Sequence, residues 1–198
     1  MAVNDLNTWR SFKKGNISVF GDIYEEHIDA LYAYGHKIES NPDKVKDCIH
    51  DVFLDIWEHR EQLSDTSSIR YYLFKALRRR IIYTKTRLSR FISSDNLQGE
   101  FKLTVELSHE DDIISEENKK ERIDFYQNAV NNLSPKQREI IYLKFQQGFT
   151  NGEIAEMTQM NYQSVSNSLN RALGKLRSQW NEVSGTVSSF AIFLFYLK

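Results

Sequence analysis

A run of basic and aromatic side chains between residues 70 and 90 is the stretch whose chemistry is most evident. It contains no acidic residue. Its cations are Arg70, Lys75, Arg78, Arg79, Arg80, Lys85, Arg87 and Arg90, and its aromatic residues include Tyr71, Tyr72, Phe74 and Tyr83. Basic side chains neutralise phosphates, and aromatic faces hold unstacked bases at about 1–3 kcal/mol each. The combination predicts a surface for single-stranded DNA, although Tyr72 and Leu73 could instead belong to the core.

A second candidate surface follows from helix boundaries after residue 133. Two capping boxes predict helix starts, and their residues are Ser134, Pro135 and Gln137 in the first and Thr150 and Glu153 in the second. The first helix should end at Gly148. A short helix from Asn151 to Thr158, a turn at 159–161 and a longer helix from Tyr162 to about Trp180 should follow. Such a pair is typical of a helix-turn-helix, whose second helix enters the DNA major groove.

The apolar face of that long helix decides which side chains could read DNA. The predicted buried stripe is Val165, Leu169, Ala172, Leu173 and Leu176. The polar candidates on other faces are Gln163, Ser164, Ser166, Asn167, Asn170 and Arg171. Asn and Gln can pair with adenine and Arg with guanine. From the spacing alone, an ordinary helical hairpin with a solvated polar face remains the alternative.

Carboxylates recur at a spacing of four in an earlier helix. Asp47, Asp51 and Asp55 therefore share one helical face, which we interpret as an acidic docking surface. An ordinary solvated charged face is the alternative.

The elements that position these residues are predicted to be helices. Glycine (8) and proline (2) are scarce, which argues against a β-sandwich or barrel. Apolar residues recur at helical spacing on both sides of Asn41-Pro42, and a third helix should start near Ser67 and Ser68. The first stripe is Ile17, Phe20, Ile23, Tyr24, Ile28, Leu31 and Tyr32, the second runs from Val45 to Trp57, and the third is Ile69, Tyr72, Leu73, Ala76, Leu77, Arg80 and Ile81.

An acidic segment lies between the two helical regions. The net charge is −1, but residues 93–122 hold nine acidic and four basic residues and lose the helical periodicity. We interpret this segment as a flexible acidic linker. Its alternating Phe101, Leu103, Val105 and Leu107 could form a short ordered arm.

Several other classes of protein are disfavoured. The single cysteine, Cys48, excludes a disulfide framework, and the five histidines form no metal-binding motif. No nucleotide-binding or nucleophile motif appears, so we expect no enzymatic activity, cofactor or metal. The apolar tail is too short to span a bilayer, and no signal-peptide core precedes the first helix. We expect a cytoplasmic protein without stable membrane insertion, whose tail docks on a groove of this chain or of a partner.

The run LSPKQREIIYLKFQQGFTNGEIAEMTQMNYQSVSNSLNRALGKLR, from Leu133 to Arg177, resembles the fourth domain of bacterial sigma factors. That resemblance implies recognition of the promoter's minus-thirty-five element. The run DCIHDVFLDIWE, from Asp47 to Glu58, is similar to the polymerase-binding helix of sigma domain two. The small extracytoplasmic-function type is therefore implied, with core RNA polymerase, promoter DNA and an anti-sigma factor as partners.

The resemblance also implies roles for individual residues. In the family, the basic helix and the loop before it, here Asp65 to Ser68, open and hold the minus-ten element. The implied contacts to that element are Ser67, Ser68, Tyr71, Tyr72, Arg78, Arg79, Arg80 and Arg87, and those to polymerase are Asp47, Asp51, Phe53, Asp55 and Trp57. Four positions depart from the family pattern: Gln159 replaces the usual glycine of the turn, Thr158 an apolar residue, His50 a glutamine and Arg79 an asparagine.

These observations predict an all-α protein of two small helical domains. The expected segments are domain two at 1–92, the acidic linker at 93–122, domain four at 123–183 and an apolar tail at 184–198. The expected function is promoter-specific transcription initiation with core polymerase. The rivals are an autonomous helix-turn-helix regulator and a protein that binds other proteins rather than DNA.

Overall fold

The computed structural model describes residues 2–89, 101–104, 124 and 126–183. Apart from residues 101–104, the predicted linker at 93–122 therefore lies outside the described residues, as does the tail at 184–198. Within the described residues the regular elements are all helical. The chain divides into two compact units, residues 1–100 and 101–198. The prediction of a two-domain, all-α fold is confirmed.

In its described residues, the first unit consists of four helices and a short 3₁₀ turn. They are α1 (Ala2–Lys13), α2 (Ile17–Ile38), α3 (Pro42–Glu58), the 3₁₀ turn Arg60–Gln62 and α4 (Ile69–Ser89). The side chains of Asn16 and Asn41 cap α2 and α3, and Pro42 occupies the first turn of α3 as predicted. Helix α1 was not predicted, although Leu6, Trp9 and Phe12 recur at a spacing of three.

The core of the first unit lies among α2, α3 and α4. A Cβ on Gly35 would meet Val45 Cγ1 at 2.7 Å, so glycine permits the close approach of α2 and α3. Trp9 and Phe12 of α1 are fully buried. The predicted stripe of α2 was partly wrong, because Ile17 is 72% exposed while Tyr34 and Ile38 complete the buried face. Tertiary packing selected a face that starts one turn later than the sequence pattern indicated.

The part of the second unit that the structure describes consists of four helices and an arm. Its elements are the arm at 101–104, helical residues 126–131 (α5), α6 (Pro135–Ile141), a π turn (Tyr142–Gln146), α7 (Asn151–Thr158) and α8 (Tyr162–Val183). Both predicted capping boxes form, each with its two reciprocal hydrogen bonds. The last turn before Gly148 is wider than the predicted α-helix. Gly148 then adopts φ +73°, and Phe149 returns to the core.

The arm at 101–104 packs against the helices of the second unit. Phe101 and Leu103 are buried while Lys102 and Thr104 are exposed, so the alternation predicted for an ordered arm is present in these four residues. Arg138 holds the arm by donating to the carbonyl of Phe101 and to three carbonyls at the end of α5, those of Val130, Asn131 and Leu133. The guanidinium satisfies carbonyls that a helix end leaves without partners.

Candidate nucleic-acid interface

Helix α4 presents its cations according to the stripe that it buries. Ser68 caps the helix, since its hydroxyl accepts a hydrogen bond from the Tyr71 amide at 3.2 Å. Ile69, Leu73, Leu77 and Ile81 are buried, which confirms core burial of Leu73. The remaining faces leave Arg79 and Arg87 exposed and Arg78 and Arg80 half-buried. The exposed cations can reach phosphate oxygens without disturbing the core.

One cation of the basic run, Lys85, contacts another part of the protein. Lys85 Nζ donates to the carbonyl of Ile38 at 2.7 Å and lies 3.7 Å from Glu39. A cation at a helix C-terminus meets carbonyls that lack partners, together with the negative end of the helix dipole. Lys85 therefore binds the end of α2 in this structure, while its expected contact with phosphate stays a prediction.

The aromatic residues of α4 divide into buried and accessible groups. Phe74 is fully buried and stacks on Tyr34 with ring centroids 5.0 Å apart, so its predicted contact with a base is corrected to a core position. Tyr83 is 58% exposed. Tyr71 and Tyr72 are half-buried, and burial raises the pKa of Tyr72. A neutral phenol can lie against a base without repelling nearby phosphates.

A groove of about 390 Å³ lies at the surface where α3 and α4 meet. Its lining includes Asp51 and Asp55 on α3 and Tyr72, Arg79, Arg80 and Tyr83 on α4. Across the groove, Asp51 Oδ2 lies 3.0 Å from Arg80 Nη2. One residue expected to bind polymerase is therefore paired with one expected to bind DNA.

The acidic face of α3 is accessible, but not all its predicted contacts are. Asp47 and Asp55 are exposed, and His59 Nδ1 lies 3.4 Å from Asp55 Oδ1. Phe53 is only 4% exposed, because its ring packs against Phe20 and Tyr24, so its predicted contact with a partner is corrected to a core role.

Trp57 lies at the edge of the same face and is half-buried. Arg60 covers its ring at 4.7 Å and donates to its carbonyl at 2.8 Å. Part of the indole remains available, whereas Phe53 offers no comparable surface.

The segment before α4, residues 64–68, is held in part by contacts with α1. Ser67 is exposed, and Thr66 Oγ1 both donates to the Ser68 carbonyl and accepts from its amide. Asp65 forms ion pairs with Arg10 and Lys13 of α1, which hold the pKa of Asp65 below its usual value. Sequence reasoning missed these partners because α1 itself was not predicted.

Helix α8 confirms the helix-turn-helix prediction in the second unit. Val165, Leu169, Ala172 and Leu176 are buried, whereas Leu173 is half-buried. Asn161 caps the helix by accepting from the Ser164 amide at 2.7 Å. The candidate DNA contacts Gln163, Asn167, Asn170 and Arg171 are exposed, and Ser164 and Ser166 are half-buried.

Two neighbouring contacts organise the start of this polar face. Gln163 Nε2 donates to Asn167 Oδ1 at 3.2 Å, which aligns the two amides along one side of α8. Asn151 of α7 donates to the Ser166 hydroxyl at 3.2 Å. Helix α7 thus orients the Ser166 side chain of α8 through this hydrogen bond.

The turn between α7 and α8 keeps its left-handed geometry without glycine. Gln159 adopts φ +56° and ψ +35°, and its amide donates to carbonyls of the preceding helix. A left-handed residue with a Cβ costs about 1–2 kcal/mol. Thr158 at the other departure is buried, and its hydroxyl donates to the carbonyl of Ile154 at 2.6 Å. The departures therefore change the residues and preserve the turn.

The described residues form neither a metal-binding cluster nor a membrane-spanning helix. No group of three or more His, Cys, Asp or Glu side chains there could hold a metal ion. None of the helices described is both long and apolar enough to cross a bilayer.

Two family matches follow the division of the chain. Residues 23–91 match Sigma-70 region 2, and residues 126–176 match Sigma-70, region 4. Together the matches cover more than half of the chain. The chain belongs to the sigma-70 family. Members of this family are non-enzymatic transcription initiation factors.

Solved structures share the fold. CnrH in complex with the cytosolic domain of CnrY aligns with a TM-score of 0.57 and 18% identity, covering 91% of this chain and 99% of that one. The sigma factor RpoE in complex with the anti-sigma factor NepR from Bartonella quintana aligns with a TM-score of 0.55 and 20% identity, covering 82% and 98%. The comparison with curated proteins gave no match. In this sigma factor, α1 precedes the region 2 match and α5 to α8 correspond to region 4.

Proposed function

We propose that this sigma factor binds core RNA polymerase and directs it to a specific set of promoters. The observation that carries the proposal is the placement of two different surfaces on one small domain. Exposed carboxylates, Asp47 and Asp55, lie on α3, while exposed cations, Arg79 and Arg87, lie on α4. A protein that only read DNA would have no need for the first surface.

Each surface has a proposed partner. Core polymerase contacts the acidic face, through Asp47, Asp51, Asp55 and the accessible part of Trp57. The melted minus-ten strand contacts Ser67, Ser68, Tyr71, Tyr72, Arg78, Arg79, Arg80 and Arg87. The minus-thirty-five element contacts Gln163, Ser164, Ser166, Asn167, Asn170 and Arg171. Phosphate contacts supply affinity and base contacts supply selectivity.

An anti-sigma factor is the third proposed partner. RpoE was solved with the anti-sigma factor NepR, and CnrH with the cytosolic domain of CnrY. By that analogy, a protein that covers one of the same surfaces would hold this chain inactive. Activity with DNA and polymerase also places it in the cytoplasm.

The intact helix-turn-helix supports one rival, an autonomous regulator. The net charge of −1 argues against it, because an autonomous regulator must find its site without help. Core polymerase would hold both DNA-binding units on one promoter and raise avidity by roughly 10²–10⁴ without a new contact. Unaided binding should therefore be weak.

The test is run-off transcription on fragmented DNA from the source genome, with purified core polymerase and the full chain. Promoter-specific transcripts should appear only when the chain is added. The double variant Asp47→Lys with Asp55→Lys should lose them together with binding to core polymerase. Asp51 is left unchanged because it is paired with Arg80.

The matched control reverses two exposed carboxylates on α2, Asp22→Lys with Asp29→Lys. It changes the net charge by the same amount and should retain transcription. Equal loss in both double variants would indicate a general charge effect and contradict the docking face. Tight promoter-specific binding by the wild-type chain without polymerase would favour the autonomous regulator.

A further inference from the structure

Helix α1 is attached to the segment 64–68, which leads into α4, and to the first residue of that helix. Trp9 Nε1 donates to the Ser64 carbonyl at 3.0 Å. Arg10 Nε lies 2.9 Å from one carboxylate oxygen of Asp65, and Lys13 Nζ lies 3.1 Å from the other. Asp5 Oδ2 accepts from the Ile69 amide at 3.3 Å. These four residues of α1, Asp5, Trp9, Arg10 and Lys13, are named the α1 tether.

The segment needs such external contacts because it has little structure of its own. It adopts no regular secondary structure, and its internal hydrogen bonds join only Thr66 and Ser68. An extended segment with few buried apolar contacts opens easily. Contacts at its first residues, 64 and 65, and at Ile69 restrict the conformations between them.

The tether also reaches one proposed DNA contact on α4. Trp9 is fully buried, and its ring lies 4.9 Å from that of Tyr72. The same indole thus holds the Ser64 carbonyl and supports the Tyr72 ring. Charge explains why Arg10 and Lys13 are poor phosphate ligands here, since both already neutralise Asp65.

We propose that the α1 tether fixes the shape of segment 64–68 and thereby sets selectivity for the melted promoter strand. This proposal rests on the proposed function. Arg10, Lys13 and Asp65 are positioning residues, and Ser67 is the exposed side chain that they place. Helix α1 lies before the region 2 match, which begins at residue 23.

The first experiment measures amide hydrogen exchange in the full chain by NMR. Arg10→Gln and Asp65→Asn should each accelerate exchange at Ser68 and Ile69 by about two- to fivefold, the range expected for loss of an exposed ion pair. Lys14→Gln is the matched control, because Lys14 directly follows α1 and its side chain forms neither an ion pair nor a hydrogen bond with Asp65 in the structure. Amides inside α3 should be unchanged in all three variants.

The second experiment measures binding of holoenzyme to single-stranded minus-ten oligonucleotides from a promoter found by run-off transcription. Each position is made abasic in turn. Wild type and Lys14→Gln should distinguish one abasic position strongly, and Arg10→Gln and Asp65→Asn should lose about two- to fivefold of that discrimination. The double variant Arg10→Gln with Asp65→Asn should be no worse than Asp65→Asn alone, because Asp65→Asn already removes the ion pair with Arg10 as well as the one with Lys13.

The outcomes separate this proposal from the function on which it rests. Unchanged exchange in Asp65→Asn overturns the tether, whatever the oligonucleotides show. Uniform weakening on all oligonucleotides in Arg10→Gln would identify a phosphate contact and also overturn it. If wild-type holoenzyme bound all the oligonucleotides equally, the proposed function itself would be contradicted. The proposed role of the α1 tether in selectivity would then be contradicted too. The hydrogen-exchange result would still show whether the contacts between α1 and segment 64–68 stabilise that segment.

Discussion

Reversing the charge of Asp51 should lower both the stability of the protein and its binding to core polymerase. Two other variants can separate these effects. The Asp51 carboxylate lies 3.0 Å from Arg80, with the two side chains 46% and 39% exposed. Pairs with this exposure contribute about 0.2–1 kcal/mol. Asp51→Lys removes the attraction and places two cations together, so we expect a loss of about 0.5–2 kcal/mol in unfolding free energy. Binding to core polymerase should also fall.

Asp55→Lys is the matched comparison. Asp55 is 70% exposed, and its recorded ion pair is with His59 on the same helix. This variant should lose polymerase binding with almost no loss of stability. Urea unfolding followed by circular dichroism measures the first property, and fluorescence anisotropy with labelled core polymerase measures the second.

The charge swap, Asp51→Arg with Arg80→Asp, decides how Asp51 acts. It restores an ion pair across the groove, so stability should return to within about 0.5 kcal/mol of wild type. Polymerase binding should stay low, because position 51 still lacks a carboxylate. Full recovery of polymerase binding in the swap would refute direct docking by Asp51. An unchanged stability of Asp51→Lys would refute the energetic importance of the pair.

Three further predictions test other parts of the structure. Gln159→Gly should raise the unfolding free energy by about 0.5–1 kcal/mol by relieving a left-handed residue, and a lower urea midpoint would contradict this. Burial, opposed in part by Glu26, lowers the pKa of His27 below 6.5, so stability should fall as pH drops from 6.5 through the folded pKa. The His27→Gln variant should lack that part of the slope in urea unfolding. Alanine at Gln163 or Asn167 should cost about 1–3 kcal/mol in holoenzyme binding to the minus-thirty-five element, and additive losses in the double variant would argue against coupling through their hydrogen bond.

Much of the second unit was predictable because its signals are local. The two capping boxes, the glycine that ends the first helix and the apolar stripe of α8 each depend on residues within a few positions of one another. The turn at Gln159 was predictable in place, although its left-handed conformation at a non-glycine residue required the structure.

Helix α1 was the largest omission in the first unit. Its three large apolar residues, Leu6, Trp9 and Phe12, form a short and weak pattern, and no asparagine or proline marks its start. The energy that holds it comes from burial of Trp9 and Phe12 against helices distant in the chain. Patterns among neighbouring residues do not contain this burial energy, because it comes from contacts with residues distant in the chain.

The sequence by itself determined α6, α7 and α8 of the second unit, their helix-turn-helix arrangement, and the basic and acidic character of two helices in the first unit, whereas α5 was not predicted. Only the tertiary structure decided which of those side chains are exposed and could contact DNA or polymerase. Lys85 serves a helix end 47 residues away, Phe74 and Phe53 enter the core, and Arg80 turns to Asp51. Charge and aromatic type are properties of a residue, whereas its partner depends on which distant groups packing brings within hydrogen-bond distance. The same reason explains the α1 tether, where Trp9 reaches Ser64 across 55 positions.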